Sequence, residues 1–299
     1  MSFWVDTDMS ADDVFALHLL TAHAEVDGVS LGFGVVPLPQ VRRNASGAAE
    51  AFGWRFPMFA GADRAILGGL ETAERILGPT GIRSRGLTLP EAPERAAPDA
   101  LAAMTAWLER REGAHVLALG PLTNLAVLAL ARPDLLARIE KITWMGGGVT
   151  SGNHTASAEF NALADPEALA ILIARGAPMR MIDLDACRRV QVEEADVAAL
   201  REAGEDLLSD LLGGYLDIAL ERGRPSMALY DPVAAAAALR PELFAFRSVR
   251  LEAELTGLHT RGRTVVETRR PETHNAEIAE DLDAPAVKRL CLDALRSGR

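Results

Sequence analysis

The run Val5-Asp6-Thr7-Asp8-Met9-Ser10-Ala11-Asp12-Asp13 lies where a short apolar run, Phe3–Val5, meets an Ala- and Leu-rich segment, Asp12–Ala24. This order predicts a buried strand followed by a helix, with four carboxylates at the junction. Helix capping explains one Asp at such a position. Four carboxylates that converge at the end of a strand repel one another, and a hard divalent cation is the usual remedy. The run therefore predicts a metal site at the end of the first strand.

Short β-rich runs alternate with longer Ala- and Leu-rich segments along most of the chain. Buried strands are predicted at Phe3–Val5, Gly28–Phe33, Phe56–Phe59, Val116–Leu119, Ile139–Met145 and Met179–Ile182. Helices are predicted at Asp12–Ala24, Gln40–Phe52, Pro98–Arg111, Thr123–Ala131 and Pro166–Arg175. The alternation predicts an α/β fold with a mostly parallel central sheet, helices on both faces and a Rossmann-like core. In such sheets, ligands bind at the carboxyl ends of the strands.

The remaining segments complete a single predicted domain over residues 1–299, since no internal repeat or interdomain linker is evident. The Gly-, Pro- and Arg-rich stretch from Gly78 to Pro98 is predicted to be a surface loop that could act as a lid. After Gln191, helical patterns run to Arg222, and further elements are predicted at Asp231–Leu239 (helix), near Ser248–Leu255 and Thr264–Arg269 (strands), and near Ala284–Leu295 (helix).

Composition excludes several functional classes. The 31 Lys and Arg against 42 Asp and Glu give a net charge of −11, which argues against binding to nucleic acid or to a membrane surface through basic patches. The amino-terminal sequence MSFWVDTDMSADD has neither a basic region nor an apolar stretch of signal-peptide length, so a cytoplasmic location is expected. Cys187 and Cys291 are the two cysteines, too few for a disulfide framework or a four-cysteine zinc cluster.

The acidic run is compatible with two enzyme families. Asp6-Thr7-Asp8 after a first strand also opens haloacid-dehalogenase-type phosphotransferases. Those enzymes need a lysine from a later motif, and neither Lys141 nor Lys288, the two lysines of this chain, has a suitable context. The full spacing D-x-D-x-x-x-D-D resembles instead the signature of the inosine-uridine-preferring nucleoside hydrolase family.

Later segments carry the same resemblance in the same order. The segment Ala118–Ala126 is similar to the G-P-L-T-N turn of the family, and Trp144–Gly148 is similar to its M-G-G strand end. Gly152–Thr155, Ala158–Asn161 and Asp165–Ala168 resemble the elements that follow. Similar segments extend from Phe3 to about Ala238, which is most of the chain.

The resemblance implies a nucleoside hydrolase-like fold and calcium-dependent hydrolysis of the N-glycosidic bond of ribonucleosides. Calcium would be bound by the carboxylates of Asp8, Asp13 and Asp231 and by the backbone carbonyl of Leu119. Asp8 would also act as general base on a calcium-bound water. The ribose would contact Asp12, Met145, Asn153, Glu159 and Asn161, with Asp6 in support. The resemblance further implies a small-molecule nucleoside substrate and a homodimer or homotetramer.

Elementary chemistry is consistent with these roles. Positive charge develops on the ribose as the base departs, so surrounding carboxylate and amide oxygens stabilise the transition state more than the ground state. Turn and cap chemistry would explain any one of Asn153, Glu159 and Asn161. It does not explain three such residues just after a glycine-rich strand end.

Three departures from the family pattern fall on the side that would meet the base. Tyr230 stands where many members have the His linked to protonation of the leaving group, which makes Tyr230 the second candidate catalytic residue after Asp8. Val35 replaces an Asn, and Leu77 replaces a second His. An alternative function is therefore a metal-dependent ribosyl-ligand binding or sensing protein with little turnover. His154, Arg222 and Arg224 are further candidates for contact with the ligand.

Overall fold

The fold is built around one ten-stranded sheet, seen in a computed structural model that describes residues 1–296. The strands are β1 (Ser2–Thr7), β2 (Glu25–Leu31), β3 (Met58–Ala60), β4 (Ala97–Pro98), β5 (Ala114–Ala118), β6 (Ile139–Met145), β7 (Met179–Ile182), β8 (Gln191–Val192), β9 (Met227–Ala228), β10 (Phe244–Ala253), β11 (Thr264–Glu267) and β12 (Ala276–Leu282). The sheet order is β11-β10-β12-β7-β6-β5-β1-β2-β3-β4, and β8 pairs with β9 separately.

Helices cover both faces of this sheet. They are α1 (Ala11–His23), α2 (Leu38–Phe52), α3 (Glu74–Leu77), α4 (Ala100–Leu108), α5 (Thr123–Ala131), α6 (Pro133–Leu136), α7 (Phe160–Ala164), α8 (Pro166–Ala174), α9 (Leu184–Cys187), α10 (Glu194–Glu202), α11 (Asp206–Leu220), α12 (Asp231–Leu239) and α13 (Ala284–Arg296). None of these helices is both long enough and apolar enough to span a membrane.

The central strand β1 shows why the sheet is buried on both faces. Its side chains alternate, so that Phe3 and Val5 enter one apolar cluster while Trp4 enters the other. Because β1 pairs in parallel with β2 on one side and β5 on the other, its carboxyl end lies in the middle of the sheet edge. The acidic run that follows β1 is therefore placed at the centre of that edge.

The predicted α/β fold with a mostly parallel sheet is confirmed, with four strands that the sequence did not indicate: β12 and the two-residue strands β4, β8 and β9. The strands from β12 through β7 to β4 pair in parallel, and β10 runs antiparallel to both β12 and β11. Strand β12 (Ala276–Leu282) went unpredicted because Glu277, Glu280 and Asp281 interrupt its apolar pattern. Glu277 is accommodated through ion pairs with Arg180 on the adjacent strand β7 (2.9 Å) and with Lys141 on the next strand, β6 (3.1 Å).

The stretch from residue 78 to residue 96 is a loop, as predicted, but it is held down. Arg85 forms ion pairs with Glu194 of α10 and Asp217 of α11, and the backbone N–H of Leu87 donates to Asp210 (2.7 Å). These contacts connect the loop to α10 and α11, and its action as a lid stays a prediction.

Candidate active site

A cavity of about 630 Å³ opens at the carboxyl ends of β1, β5 and β6. Such a position is where α/β sheets bind ligands, because loops from successive strands converge there. Of the site residues predicted from the sequence, Asp13 and the supporting Asp6 are buried outside the cavity lining. All the others line the cavity: Asp8, Asp12, Leu119, Met145, Asn153, Glu159, Asn161, Tyr230 and Asp231. The structure therefore brings together residues that are up to 223 positions apart in sequence, from Asp8 to Asp231.

Two helix starts bring the carboxylates together. Asp12 and Asp13 lie in the first turn of α1, and Asp231 begins α12. One oxygen from each of these three carboxylates lies within 4.8 Å of the others. Asp13 is fixed by the hydroxyl of Thr7 and by the backbone N–H of Ser10, which donates at 2.8 Å.

Asp8 is held beside this cluster by an unusual backbone. Met9, the next residue, is buried with a positive φ of 48°, a conformation that non-glycine residues adopt rarely and mostly where the surroundings enforce it. The backbone N–H of Val35 donates to Oδ2 of Asp8 at 2.6 Å. A Cβ atom at Gly34 would lie 1.9 Å from the same oxygen, so only glycine permits this approach.

The cluster is electrostatically unfavourable without a cation. Burial and then repulsion from Asp13 raise the pKa of Asp8 well above its usual value, and burial followed by repulsion from Asp12, Asp13 and Asp8 does the same to the pKa of Asp231. Burial and the charge of Asp13 raise the pKa of Asp12 to about 6. Within residues 1–296, none of these four carboxylates has a Lys, Arg or His ion-pair partner. A set of buried oxygen donors with excess negative charge suits a hard divalent cation.

Asp6 supports the cluster from beneath. Its carboxylate accepts hydrogen bonds from the hydroxyl of Ser30 and from the side-chain amide of Asn124 (2.8 Å). Its backbone carbonyl accepts from the N–H of Leu119 at 2.8 Å, which ties the end of β1 to the loop after β5. Burial raises the pKa of Asp6 to about 6.

The opposite wall is built on the glycine turn after β6. Glu159 caps α7 and accepts from the backbone N–H groups of Asn161 (2.8 Å), Ala162 (3.0 Å) and Gly147 (2.8 Å). Burial raises the pKa of this carboxyl to about 7, against the lowering effect of those hydrogen bonds. Capping is therefore one role of Glu159, as the sequence allowed, while its side chain also faces the cavity.

Asn161 and Asn153 are also oriented by hydrogen bonds. The amide nitrogen of Asn161 donates to the carbonyls of Leu119 (2.9 Å) and Met145 (3.0 Å). Oδ1 of Asn153 accepts from the backbone N–H of Phe160 at 3.0 Å. Asn161 thus links the loops that follow β5 and β6 at the cavity floor.

Comparison with known proteins identifies the family of the chain. The model of the family described as inosine-uridine preferring nucleoside hydrolase matches residues 3–289. The chain belongs to that family. The resemblance inferred from the sequence is thereby confirmed, and with it the prediction of an N-ribosyl hydrolase.

Relatives in the nucleoside hydrolase family match along nearly the whole chain. The pyrimidine-specific ribonucleoside hydrolase RihA of Citrobacter koseri is 32% identical over 272 residues, covering 88% of this chain and 86% of the relative. Its counterpart in Escherichia coli O81 is 30% identical over 307 residues, with 98% and 97% covered. The solved structure of a purine-preferring ribonucleoside hydrolase from Gardnerella vaginalis superposes with a TM-score of 0.91 at 25% identity, covering 100% of this chain and 99% of that one.

The three departures from the nucleoside hydrolase family pattern all fall on residues of the cavity. Val35, Leu77 and Tyr230 all line it, and none of them carries an imidazole. Burial raises the pKa of the Tyr230 phenol to about 12. Tyr230 is therefore a much weaker proton donor at neutral pH than a histidine at this position would be.

Three other lining residues were underestimated from the sequence. Tyr215, in an apolar stretch of α11, places its hydroxyl 2.9 Å from the carbonyl of Ala228 and 3.4 Å from Asp12. Arg188 donates to the hydroxyl of Ser151 (2.8 Å) and to the carbonyl of Gly152 (2.9 Å). No pattern in the sequence indicated Tyr215 or Arg188. His154, which the sequence did indicate as a candidate, lines the cavity, and its Nε2 lies 2.9 Å from Oε1 of Glu71.

Proposed function

We propose that this chain hydrolyses the N-glycosidic bond of ribonucleosides to ribose and free base, with Asp8 as general base and calcium at the carboxylate cluster. The observation that carries the proposal is the meeting, in one cavity, of the Asp8, Asp12 and Asp231 carboxylates with the polar wall of Asn153, Glu159 and Asn161. A nucleoside placed there has its sugar between two sets of oxygen atoms. Such a setting favours a positively charged ribosyl transition state.

Each residue has a distinct part in this proposal. Asp8 accepts the proton of the attacking water, whose oxygen forms a bond to C1′ while the electron pair of the C1′–N bond departs with the base. Asp12, Asn153, Glu159 and Asn161 bind ribose hydroxyls, and Met145 packs against the sugar.

Calcium would be held by Asp8, Asp13, Asp231 and the carbonyl of Leu119. The donor set is all oxygen, which favours calcium over zinc. When bound, the cation would supply a fixed positive charge that orients water and ribose hydroxyls. One oxygen of Asp12 lies within 4.8 Å of an oxygen of Asp13 and of Asp231, as the ligands of one metal ion do. The roles of Asp8 and Asp12 in metal binding therefore need a separate test.

The remaining expectations from the sequence are part of the proposal. We expect one domain over residues 1–299, of which residues 297–299 lie outside the described part of the chain. We also expect a homodimer or homotetramer in the cytoplasm that acts on small-molecule nucleosides.

Release of reducing sugar from a panel of purine and pyrimidine nucleosides tests the function. We expect turnover with added calcium and at least about a hundredfold less with a chelator, because positioning by the metal and the base is lost together. Elemental analysis of protein purified without chelator should find calcium. Tight nucleoside binding without release of sugar would instead favour the binding or sensing protein.

Thermal unfolding as a function of pH tests the metal site independently of turnover. The folded-state pKa values of Asp6 and Asp12 are raised from 3.8 to about 6. In the metal-free protein, these two carboxyl groups therefore add to the free energy of unfolding below about pH 4, where they are protonated. This contribution is lost as the pH rises through about 6. Bound calcium offsets this loss, so the increase in Tm on adding calcium should grow from about pH 5 to about pH 7.5, to roughly 5 °C or more.

Magnesium at the same concentration is the control for that measurement, because it prefers a smaller octahedral site. An increase in Tm that is equal at both pH values, or equal for the two metals, would contradict a calcium site made of these carboxylates.

A further inference from the structure

Positive side chains form part of the cavity wall, opposite in charge to the carboxylate cluster. Arg188, Arg222 and Arg224 all line the cavity. Arg188 is engaged by Ser151, Gly152 and Asp185. Within residues 1–296, neither Arg222 nor Arg224 has a carboxylate within 4.0 Å, although acidic residues outnumber basic ones by 42 to 31. Two arginines that line the cavity therefore carry a charge that no carboxylate of the described residues pairs within 4.0 Å.

The backbone fixes where these two arginines sit. They follow the carboxyl end of α11, where Gly223 adopts a positive φ of 70°. The backbone N–H groups of both Arg222 and Arg224 donate to the carbonyl of Ala219 at 3.0 Å. This closed turn presents both side chains from a defined position at the mouth of the cavity.

Two of these arginines lie near Tyr230, the residue proposed to face the leaving group. Arg188 and Arg224 both lie near enough to Tyr230 to act on its phenol electrostatically, lowering its pKa against the effect of burial. The sugar side, in contrast, is acidic. A nucleoside with its ribose at the carboxylates would direct its base toward Tyr230 and the arginine turn.

We propose that the preferred substrates carry a carboxylate on the leaving heterocycle, and that Arg222 and Arg224 bind it. This inference rests on the proposed function. Guanidinium groups match carboxylates in geometry and can bind them through paired hydrogen bonds. An anionic base would also be repelled by the carboxylate cluster, so positive charge at the far end of the cavity selects the orientation in which the ribose meets that cluster.

A matched pair of pyridinium ribosides, nicotinic acid riboside and nicotinamide riboside, tests the inference. In both, the C1′–N bond breaks, its electron pair neutralises the ring nitrogen, water oxygen bonds to C1′, and Asp8 accepts the proton. Neither leaving group needs protonation, so the pair differs only in carboxylate against carboxamide. We expect kcat/KM to be about tenfold higher for the acid, the size expected for a partly exposed charge-assisted contact.

Replacing the arginines should remove that preference selectively. In the double variant Arg222→Gln, Arg224→Gln, we expect the ratio of kcat/KM for the acid to kcat/KM for the amide to fall from about ten to about one. Arg175→Gln is the matched control, because Arg175 is exposed, has no ion pair in the described chain and lies outside the cavity lining. Free nicotinate should likewise inhibit the wild type more strongly than nicotinamide, and this difference should vanish in the double variant.

Other outcomes separate the inference from the proposed function. Equal cleavage of acid and amide, with normal calcium-dependent turnover, would overturn the inference alone. If the enzyme prefers the 5′-monophosphate of nicotinamide riboside and this preference depends on the same arginines, then the arginines bind a phosphate on the sugar. That result would also overturn the inference. Failure to cleave any riboside would overturn the proposed function together with the inference.

Discussion

Asp8→Asn is expected to lower kcat by up to about 10⁴-fold while leaving the fold intact. The substitution removes the proposed general base, a contribution of roughly 10²–10⁴ in rate, and one charge from the proposed metal site. An Asn side chain has nearly the same volume and retains an oxygen that can accept the hydrogen bond from Val35. The measurement is nucleoside turnover at saturating calcium, with circular dichroism and Tm to show that folding is preserved.

Asp134→Asn is the matched control, because it removes the same charge from an exposed residue paired with Arg132 on the surface. Its kcat should equal that of the wild type. Calcium titration of Asp12→Asn then separates the two roles within the cluster. We expect Asp12→Asn to raise KM with calcium affinity retained. Wild-type turnover in Asp8→Asn would show that another group is the base.

The fold was largely predictable because most of its strands are apolar on both faces. Runs such as Ile139–Met145 and Met179–Ile182 match β6 and β7 in both bounds. The prediction missed the two-residue strands β4, β8 and β9 and the longer β12, where Glu277 is paired by cations on β6 and β7. A single strand's sequence does not indicate such partners, because they come from distant parts of the chain.

The two halves of the site differ in how far the sequence reveals them. The residues proposed to bind metal and ribose lie largely in short segments, such as Asp6–Asp13 and Ala158–Asn161, where several polar residues are close together in sequence. Other parts of the cavity wall are formed by single residues on separate elements, among them Tyr215 and Arg188. Each is unremarkable in its own segment, so only the packing of α9 and α11 against the cavity identifies it.

The second large effect that we expect is a strong dependence of the rate on the leaving group, because Tyr230 stands where a histidine would donate a proton. An imidazolium has a pKa of about 6.5 and a free phenol about 10, and burial raises the pKa of Tyr230 further, to about 12. Such a group holds its proton too tightly to act as an acid at neutral pH. We therefore expect p-nitrophenyl riboside, whose leaving group departs with little protonation, to be cleaved roughly 10²–10⁴ times faster than inosine or uridine.

Tyr230→Phe should change little on either class of substrate if the phenol does not donate a proton, because the ring that packs in the cavity wall is kept. His154 is the remaining imidazole among the lining residues, so His154→Gln tests whether it substitutes as the donor. If it does, natural nucleosides lose rate in that variant while p-nitrophenyl riboside does not. The opposite pattern decides against this account: comparable rates on natural and activated substrates, together with a loss above about a hundredfold on natural nucleosides alone in Tyr230→Phe, would identify Tyr230 as the acid. That result would require bound substrate to lower the pKa of the phenol, and the positive charge of Arg188 and Arg224 beside it is the feature of this cavity that acts in that direction.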